Sequence, residues 1–344
     1  MTNDTPEQDM AKIRQLLLAA FTAEELRRFC HDRPDFRPVV RRFGPGHGHD
    51  DMVDELITYC ETYLLFPELL AELKEHNPRQ YARFLEPESS EEEPALLIPQ
   101  ALTFSHPIAL HLVRVPAGEF QMGSVMARDK DAQEDELPPH RVYVPEFYIG
   151  RYPVTNPQYR AFIRTTGHLA PHYWPGGEIP GDKYNHPVAH VSWHDAVAFC
   201  NWLRQETGQP FRLPTEAEWE KAARGADGRI YPWGDEPPDK GRCNFNRSIG
   251  DTTTIGRYSP QGDSPYGCAD MAGNVFEWCQ SGHKCFPYEA DDGREDLQAS
   301  GIRVTRGGSW YCGPAYVRCA YRLRFSPGRK EEGVGFRVAR ESIG

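Results

Sequence analysis

The sequence predicts an α+β protein in which a small all-α bundle precedes a larger, loop-rich mixed domain. Residues 1–85 repeat apolar side chains at helical spacing. Residues 86–95 are acidic, contain proline and lack large apolar side chains, which is typical of a linker. From about residue 100 the composition shifts to Trp, Tyr, Gly and Pro in short periodic segments, which indicates strands and turns. We therefore expect a helical domain at 1–85, a linker at 86–100 and a mixed domain at 101–344.

The first domain contains the start and stop signals of about five short helices. Thr22 and Glu25 have the spacing of a capping box, and Asp50 is placed to cap a later helix. Pro67 suits a first helical turn, and Asn77 followed by proline ends that segment. One apolar stripe recurs at helical spacing and is formed by Met52, Val53, Leu56, Ile57, Cys60, Tyr63 and Leu64.

The second domain begins with strand patterns and then shows two capped helices. Residues 112–116 and 141–144 alternate as strands do. Ser192 opens one helix and Thr215 opens another, which stops at Gly225. Beyond that glycine the sequence predicts turns and short strands with few helices.

Charge and composition exclude several classes of protein. The 344 residues carry a net charge of −11, with a balance of −9 in residues 1–95 and +7 in residues 302–340. The basic residues at 302–340 stand singly among Gly, Trp and Tyr, so we expect them to pair with acidic groups of their own fold rather than with nucleic acid. No apolar run is long enough to span a membrane, and the acidic start is unlike a secretory signal. Nine scattered cysteines fit a reducing cytoplasm.

A series of motifs follows in order along the second domain. The motifs are Pro116-Ala-Gly-Glu-Phe-Gln-Met-Gly-Ser124, Tyr152-Pro-Val-Thr-Asn156, Pro187-Val-Ala-His-Val-Ser-Trp193, Arg212-Leu-Pro-Thr-Glu-Ala-Glu-Trp-Glu220, Tyr231-Pro-Trp-Gly-Asp235, Asp270-Met-Ala-Gly-Asn-Val-Phe-Glu-Trp278, Arg306-Gly-Gly-Ser-Trp310 and Gly335-Phe-Arg337. Together they resemble the formylglycine-generating enzyme, or sulfatase-modifying factor, family. The resemblance implies a variant of the C-type lectin fold and leaves function open, because that family includes oxidases, sulfoxide synthases and non-enzymatic binding proteins.

The oxidases of this family hold copper with two cysteines just after the Gly-Gly-Ser-aromatic motif. Paired thiolates at short spacing suit Cu(I). Cys312 stands at the first position, but Val317 stands where the second cysteine is expected. Cys319 resembles a separate, non-catalytic cysteine of the family. Copper is therefore not expected, although a copper-dependent oxidase acting on thiol substrates, with Cys312 as a catalytic residue, remains the alternative function.

The resemblance also implies calcium as a candidate cofactor. Side-chain and backbone oxygens are the ligands that this hard cation prefers. The alternative is that these groups only hydrogen-bond their own turns. The candidate ligands are Asn244, Phe245, Asp251, Thr253, Gly273, Asn274, Val275 and Glu277.

Residues 306–340 resemble the variable region of diversity-generating retroelement target proteins. The resemblance places a scaffold at Arg306 to Trp310, Arg318, Arg322 and residues 335–337, among positions that vary in such proteins. Rigid aromatic side chains give a large contact area at low entropy cost, so the varying positions predict a binding patch. We expect substitutions of the patch residues to leave the domain folded. By contrast, Trp310→Ala in the scaffold is expected to unfold the domain. The alternative is an ordinary core strand. The predicted ligand-binding residues are Tyr311, Cys312, Gly313, Tyr316, Tyr321, Leu323 and Phe325.

The first domain resembles the bacterial effector-associated, death-like adaptor domains, through residues 26–38, 56–60 and 77–84. The resemblance implies docking to an effector such as a protease or NTPase. The leading prediction is thus a cytoplasmic, non-enzymatic sensor. Its lectin-like domain would bind a macromolecular ligand, and its helical domain would recruit the effector.

Overall fold

The computed structural model describes residues 6–44, 46–63, 65–77, 81 and 101–342. The chain divides into two compact units, Met1–Leu97 and Ile98–Gly344. The linker predicted at 86–100 lies outside the described residues, as do residues 82–85 of the predicted helical domain. Within the described ranges, no helix is long and apolar enough to cross a membrane.

The first unit consists of helices. Thr22 and Glu25 form the predicted capping box, with the Thr22 amide donating to the Glu25 carboxylate at 2.7 Å. The prediction for Asp50 was wrong, because that helix begins at His49 and Asp50 lies inside its first turn, where the neighbouring Asp51 carboxylate accepts from the Gly48 amide at 2.8 Å. The described helices are α1 Pro6–Ala20, α2 Ala23–Asp32, a 3-10 helix Arg37–Arg42, α3 His49–Tyr63 and α4 Phe66–His76.

One apolar core holds these helices together. Its side chains come from every described helix and are almost completely shielded from water. The predicted stripe contributes Met52, Val53, Leu56 and Cys60, and Ile57 packs at the margin, while the side chains of Tyr63 and Leu64 lie outside the described part of the chain. Burial at this scale contributes roughly 1.5–3 kcal/mol per large apolar side chain. The most deeply buried members include Leu16, Leu17, Leu26, Cys30, Val39, Val53, Leu56, Cys60, Leu69 and Leu73.

The second unit is a mixed α+β domain with three curled sheets, which confirms the predicted fold class. The largest sheet has the strand order β1-β2-β5-β11-β6, a second has β10-β7-β8-β9, and β3 pairs with β4. All named pairs are antiparallel except β7 with β10. The strands are β1 Ala101–Phe104, β2 Leu110–Val115, β3 Gly118–Met122, β4 His140–Val144, β5 Phe147–Gly150, β6 Phe211–Arg212, β7 Phe276–Gly282, β8 Arg303–Arg306, β9 Arg322–Phe325, β10 Val334–Gly335 and β11 Ala339–Glu341.

Three longer helices pack against these sheets, each opened by a capping box. Ser192 and Thr215 cap two of them as predicted, and the last ends at Gly225. Sequence analysis missed the first, although Thr155 and Gln158 carry the same capping signal. The helices are α5 Asn156–Thr166, α6 Trp193–Thr207 and α7 Glu216–Arg224.

Candidate ligand-binding surface

Buried ion pairs fix the chain between the residues of the predicted patch. Arg318 donates to Asp129 and Glu136 at 2.6 Å each, and its side chain is fully shielded. Arg322 donates to the buried Glu216 at 2.6 Å. Burial opposes ionisation of Glu216, but the neighbouring arginines lower the pKa of its carboxyl. These pairs confirm that the basic C-terminal residues are partners for acidic groups of their own fold.

Two further pairs anchor the ends of the same region. Arg306 pairs with Glu220. Arg337 donates to Glu277 at 2.7 Å, and the Trp219 indole donates to the same carboxylate at 2.7 Å. All of these side chains are completely buried. Since removing one partner would strand a buried charge, the network holds the backbone of residues 306–337 in one conformation.

The segment that joins β8 to β9 carries most of the predicted binding residues. Gly308 has φ 73°, and a Cβ there would lie 2.6 Å from the Tyr316 carbonyl oxygen and from Val317 Cγ1. Only glycine permits this close approach. The turn continues into a one-turn 3-10 helix, Pro314–Tyr316, which begins after Gly313.

We call the seven predicted residues the C-terminal patch: Tyr311, Cys312, Gly313, Tyr316, Tyr321, Leu323 and Phe325. Tyr316 is 44% exposed, and the other six are half-buried. The rings of Tyr316 and Tyr321 meet edge to face with centroids 5.0 Å apart. The ring of Phe325 lies 6.0 Å from that of the buried Trp278. The patch therefore has one side on the core and the other facing outward.

Partial burial corrects the expected contrast between patch and scaffold. Cys312, Tyr321, Leu323 and Phe325 all pack against the apolar core, so they contribute to stability as well as to the surface. Trp310, which was expected to be scaffold, is itself only half-buried and meets the Tyr311 ring edge to face at 5.2 Å. It belongs to the same surface as the patch.

A loop that sequence analysis did not single out borders the patch. We call residues 246–250 the flanking loop. The Asn246 amide donates to the Cys312 carbonyl, and the Arg247 amide donates to the Trp310 carbonyl, both at 2.7 Å. Both donor residues have positive φ, 53° and 54°. Ile249 is 46% exposed. The contact spans more than sixty positions along the chain, so no local signal in the sequence predicts it.

Val317 stands where the second copper cysteine of the family's oxidases is expected, and the thiol that shares an apolar cluster with Cys312 is that of Cys243. The Cys312 sulfur lies 3.4 Å from the Ser309 hydroxyl, and burial raises the pKa of the Cys312 thiol. Val317 is fully buried in an apolar cluster that Cys312 also contacts. Cys319 is buried in a different cluster. Reactive cysteines usually have a lowered pKa, so the surroundings of Cys312 favour a contact residue over a metal ligand.

The candidate calcium ligands fit a cation only in part. The carboxylate of Glu277 is held by Arg337 and Trp219, and that of Asp251 is paired with Lys183 at 2.5 Å. The carboxylates are thus ion-pair partners rather than open ligands. By contrast, the Asn244 Oδ1 atom is buried and has no hydrogen-bond partner. Across the described ranges, no three His, Cys, Asp or Glu residues gather into a metal-binding group.

The remaining candidates support the turn around Asn244. Asn274, with φ 62°, donates its amide to the Asn244 carbonyl at 2.9 Å and accepts from the Thr253 amide at 2.9 Å. The Gly273 amide donates to the Gly307 carbonyl, and Phe245 and Val275 are buried. These bonds tie the candidate calcium region directly to the glycine turn beneath the patch.

The curled sheets, the loop-rich connections and the buried arginine network define a C-type-lectin-like domain of the formylglycine-generating type. The sulfatase-modifying factor enzyme 1-like domain matches residues 101–342, and the chain belongs to this family.

Two relatives in sequence and one solved structure are similar to this chain. Formylglycine-generating enzyme of Thermomonospora curvata is 33% identical, over 69% of this chain and 95% of that enzyme. Serine/threonine-protein kinase pkn1 of Chlamydia pneumoniae is 35% identical over 75% of this chain, and the match spans 40% of that kinase. Treponema denticola variable protein 1 shares the fold, with a TM-score of 0.58 and 24% identity, over 71% of this chain and all of that protein.

Proposed function

We propose that the chain is a non-enzymatic sensor whose C-terminal patch binds a macromolecular ligand. The observation that carries the proposal is a half-exposed aromatic surface held on a scaffold of fully buried ion pairs. Rigid aromatic side chains give contact area at low entropy cost, and a fixed backbone keeps that cost low on binding. Diversification of residues 306–340 belongs to the same proposal, supported by the likeness in fold to a variable protein.

The test of patch binding uses the full chain and a library of displayed short peptides. Tyr316→Ser should remove most of the binding of selected clones, because exposed aromatics at the centre of an interface contribute about 2 kcal/mol or more. Tyr143→Ser is the matched control, since Tyr143 is 64% exposed on β4, outside the patch. Equal loss from both variants would count against a specific patch.

Recruitment of an effector is the second part of the proposal. The 3-10 helix Arg37–Arg42 contains three arginines and no acidic residue, and all three arginines are exposed. Exposed charges of one sign favour docking to an acidic partner surface. We expect a protease or NTPase encoded beside this gene to co-purify with the chain. Substitution of Arg37 and Arg41 by Glu should abolish that co-purification, while Arg141→Glu in the second unit should not.

A copper-dependent oxidase is the alternative function. It is favoured by the identity to formylglycine-generating enzyme over nearly all of that enzyme, and by the half-exposed Cys312. The decisive experiment titrates Cu(I) against the purified chain and measures oxygen consumption on a cysteine peptide. Stoichiometric copper binding lost in Cys312→Ser, together with turnover, would overturn the sensor proposal. Weak copper binding that is unchanged in Cys312→Ser is expected.

Calcium enters the proposal as a structural ligand near Asn244 only. The side-chain oxygen of Asn244 is buried without a hydrogen-bond partner, which supports a bound cation at this position. Calcium should then raise the melting temperature of the chain over a chelator control, and Asn244→Ala should remove the increase. An unchanged melting temperature in the native chain would exclude the site.

A reducing cytoplasmic location completes the proposal. All nine cysteines are free, and seven of them are buried. Buried thiols without bridges suit a compartment in which disulfides do not persist. Thiol labelling of the purified chain under native conditions should modify Cys285 and Cys312 before the others, because only those two are accessible.

A further inference from the structure

The flanking loop presents a cation that the domain itself does not neutralise. Of the arginines within residues 101–342, Arg247 is the one whose guanidinium has no hydrogen-bond, ion-pair or aromatic partner. The other arginines of this unit contact carboxylates, carbonyls or rings. Even exposed arginines have such partners, as in the pair of Arg141 with Glu119. An acidic chain that pairs its other arginines in this unit leaves Arg247 available to an external anion.

The backbone holds Arg247 beside the patch rather than letting the loop swing away. Its amide is bonded to the Trp310 carbonyl, and the preceding amide is bonded to the Cys312 carbonyl. Phe245 anchors the start of the loop in the apolar cluster that contains Val317. Asn246 and Arg247 both have left-handed φ, which is unfavourable for an arginine and persists only where the surroundings impose it.

We infer that the patch and the flanking loop together recognise an acidic peptide segment of a protein ligand. Arg247 would bind a carboxylate, and the patch would receive a neighbouring aromatic or aliphatic side chain. This inference rests on the proposed function of the patch. A guanidinium matches a carboxylate with two parallel hydrogen bonds, so it fixes orientation as well as adding affinity. Ile249 and Tyr316 supply exposed apolar surface for the uncharged part of the segment.

The surrounding charges favour one carboxylate over a polyanion. Nucleic acids bind through many phosphate contacts, whereas this surface offers a single unpaired arginine. Glu331 and Glu332 lie near enough to Tyr311 for their charges to oppose its ionisation, and the same charges would repel an extended chain of phosphates. Electrostatic complementarity of this kind selects the ligand and its register.

The experiment selects short randomised peptides on the full chain and measures the affinity of a selected peptide by fluorescence anisotropy. Selected sequences should place Asp or Glu close to an aromatic residue or leucine. Arg247→Gln should weaken binding about tenfold to hundredfold, the effect of losing a charged hydrogen-bonded pair. Arg257→Gln is the matched control, an exposed arginine ten positions along, and should change affinity less than about twofold. Replacing the peptide's acidic residue by its amide should weaken binding to the native chain but not to Arg247→Gln.

The outcomes separate the two proposals. Binding lost in Tyr316→Ser but unchanged in Arg247→Gln would overturn the role of Arg247 and leave the patch standing. If neither variant changes peptide binding, or if the selection yields no binding peptide, recognition of peptides by the patch itself would be overturned. Arg247-dependent binding of a single-stranded oligonucleotide, with no acidic enrichment among the peptides, would identify a nucleic acid as the ligand and overturn the inference.

Discussion

Side chains of the C-terminal patch serve folding and recognition in different proportions. Tyr316 is 44% exposed and its ring meets that of Tyr321 edge to face, whereas Phe325 packs on the core beside Trp278. Tyr316→Ser should therefore change the free energy of unfolding by about 0.5 kcal/mol or less. Phe325→Ser should cost more, and Trp278→Ala about 3–5 kcal/mol. Urea denaturation of the three variants gives the ranking, and equal losses would identify the patch as ordinary core.

Arg318 shows how much the scaffold depends on a single residue. Its side chain is fully buried between Asp129 and Glu136, so Arg318→Ala leaves two carboxylates buried without a counter-charge. We expect a loss of about 3–5 kcal/mol in the free energy of unfolding. Arg141→Ala is the control, because that side chain is 81% exposed in its pair with Glu119 and should cost less than about 1 kcal/mol. Similar melting temperatures for both variants would contradict a structural role for the network.

At the scale of elements, the segment before α6 makes the fold sensitive to acid. Burial lowers the pKa of His186 and of His190 to about 4, and the His172 ring lies 4.0 Å from that of His190. Unfolded histidine has a pKa of about 6.5, so the unfolded state takes up protons first as pH falls. The contribution of these two histidines to the free energy of unfolding is therefore fully present above about pH 6.5 and is lost progressively between about pH 6.5 and pH 4.

The measurement compares melting temperatures of the native chain and His190→Asn between pH 7.5 and pH 4.5. Asparagine tolerates the positive φ of 56° at this position. Asp270 acts in the opposite direction, because burial raises the pKa of its carboxyl to about 6, so the difference between variants is more informative than the native curve. The fall in melting temperature should be smaller in His190→Asn. Parallel curves would show that His190 does not contribute.

Elements with local signals could be predicted from the sequence, while the site could be predicted only in part. Capping boxes at Thr22, Ser192 and Thr215 fixed three helix starts, because the signal lies within four residues. The same signal at Thr155 was present but was not used. The bond from Arg247 to the Trp310 carbonyl joins distant segments, and no periodicity encodes it. Burial of individual patch residues likewise depends on which side of the turn meets the core.

At the scale of the whole molecule, composition and contacts place a boundary in the same region. The chain separates into compact units between Leu97 and Ile98, and each unit has apolar clusters of its own. A unit with its own core can in principle fold alone. Residues 86–95 carry five glutamates and no large apolar side chain, and this composition is the basis of the predicted linker.

We therefore predict that limited proteolysis with a glutamate-specific enzyme cuts first within residues 86–95 and leaves a stable fragment of about residues 98–344. The fragment should retain the melting transition of the second unit, because the buried arginine pairs and the sheets all lie within it. Replacing the glutamates at positions 86, 88, 91, 92 and 93 by glutamine is the control and should abolish the first cut without changing either transition. A single co-operative transition for the full chain, with no protected fragment, would mean that the two units depend on each other for stability. In that case ligand binding at the patch would act on the helical unit through shared folding energy rather than by bringing two independent modules together.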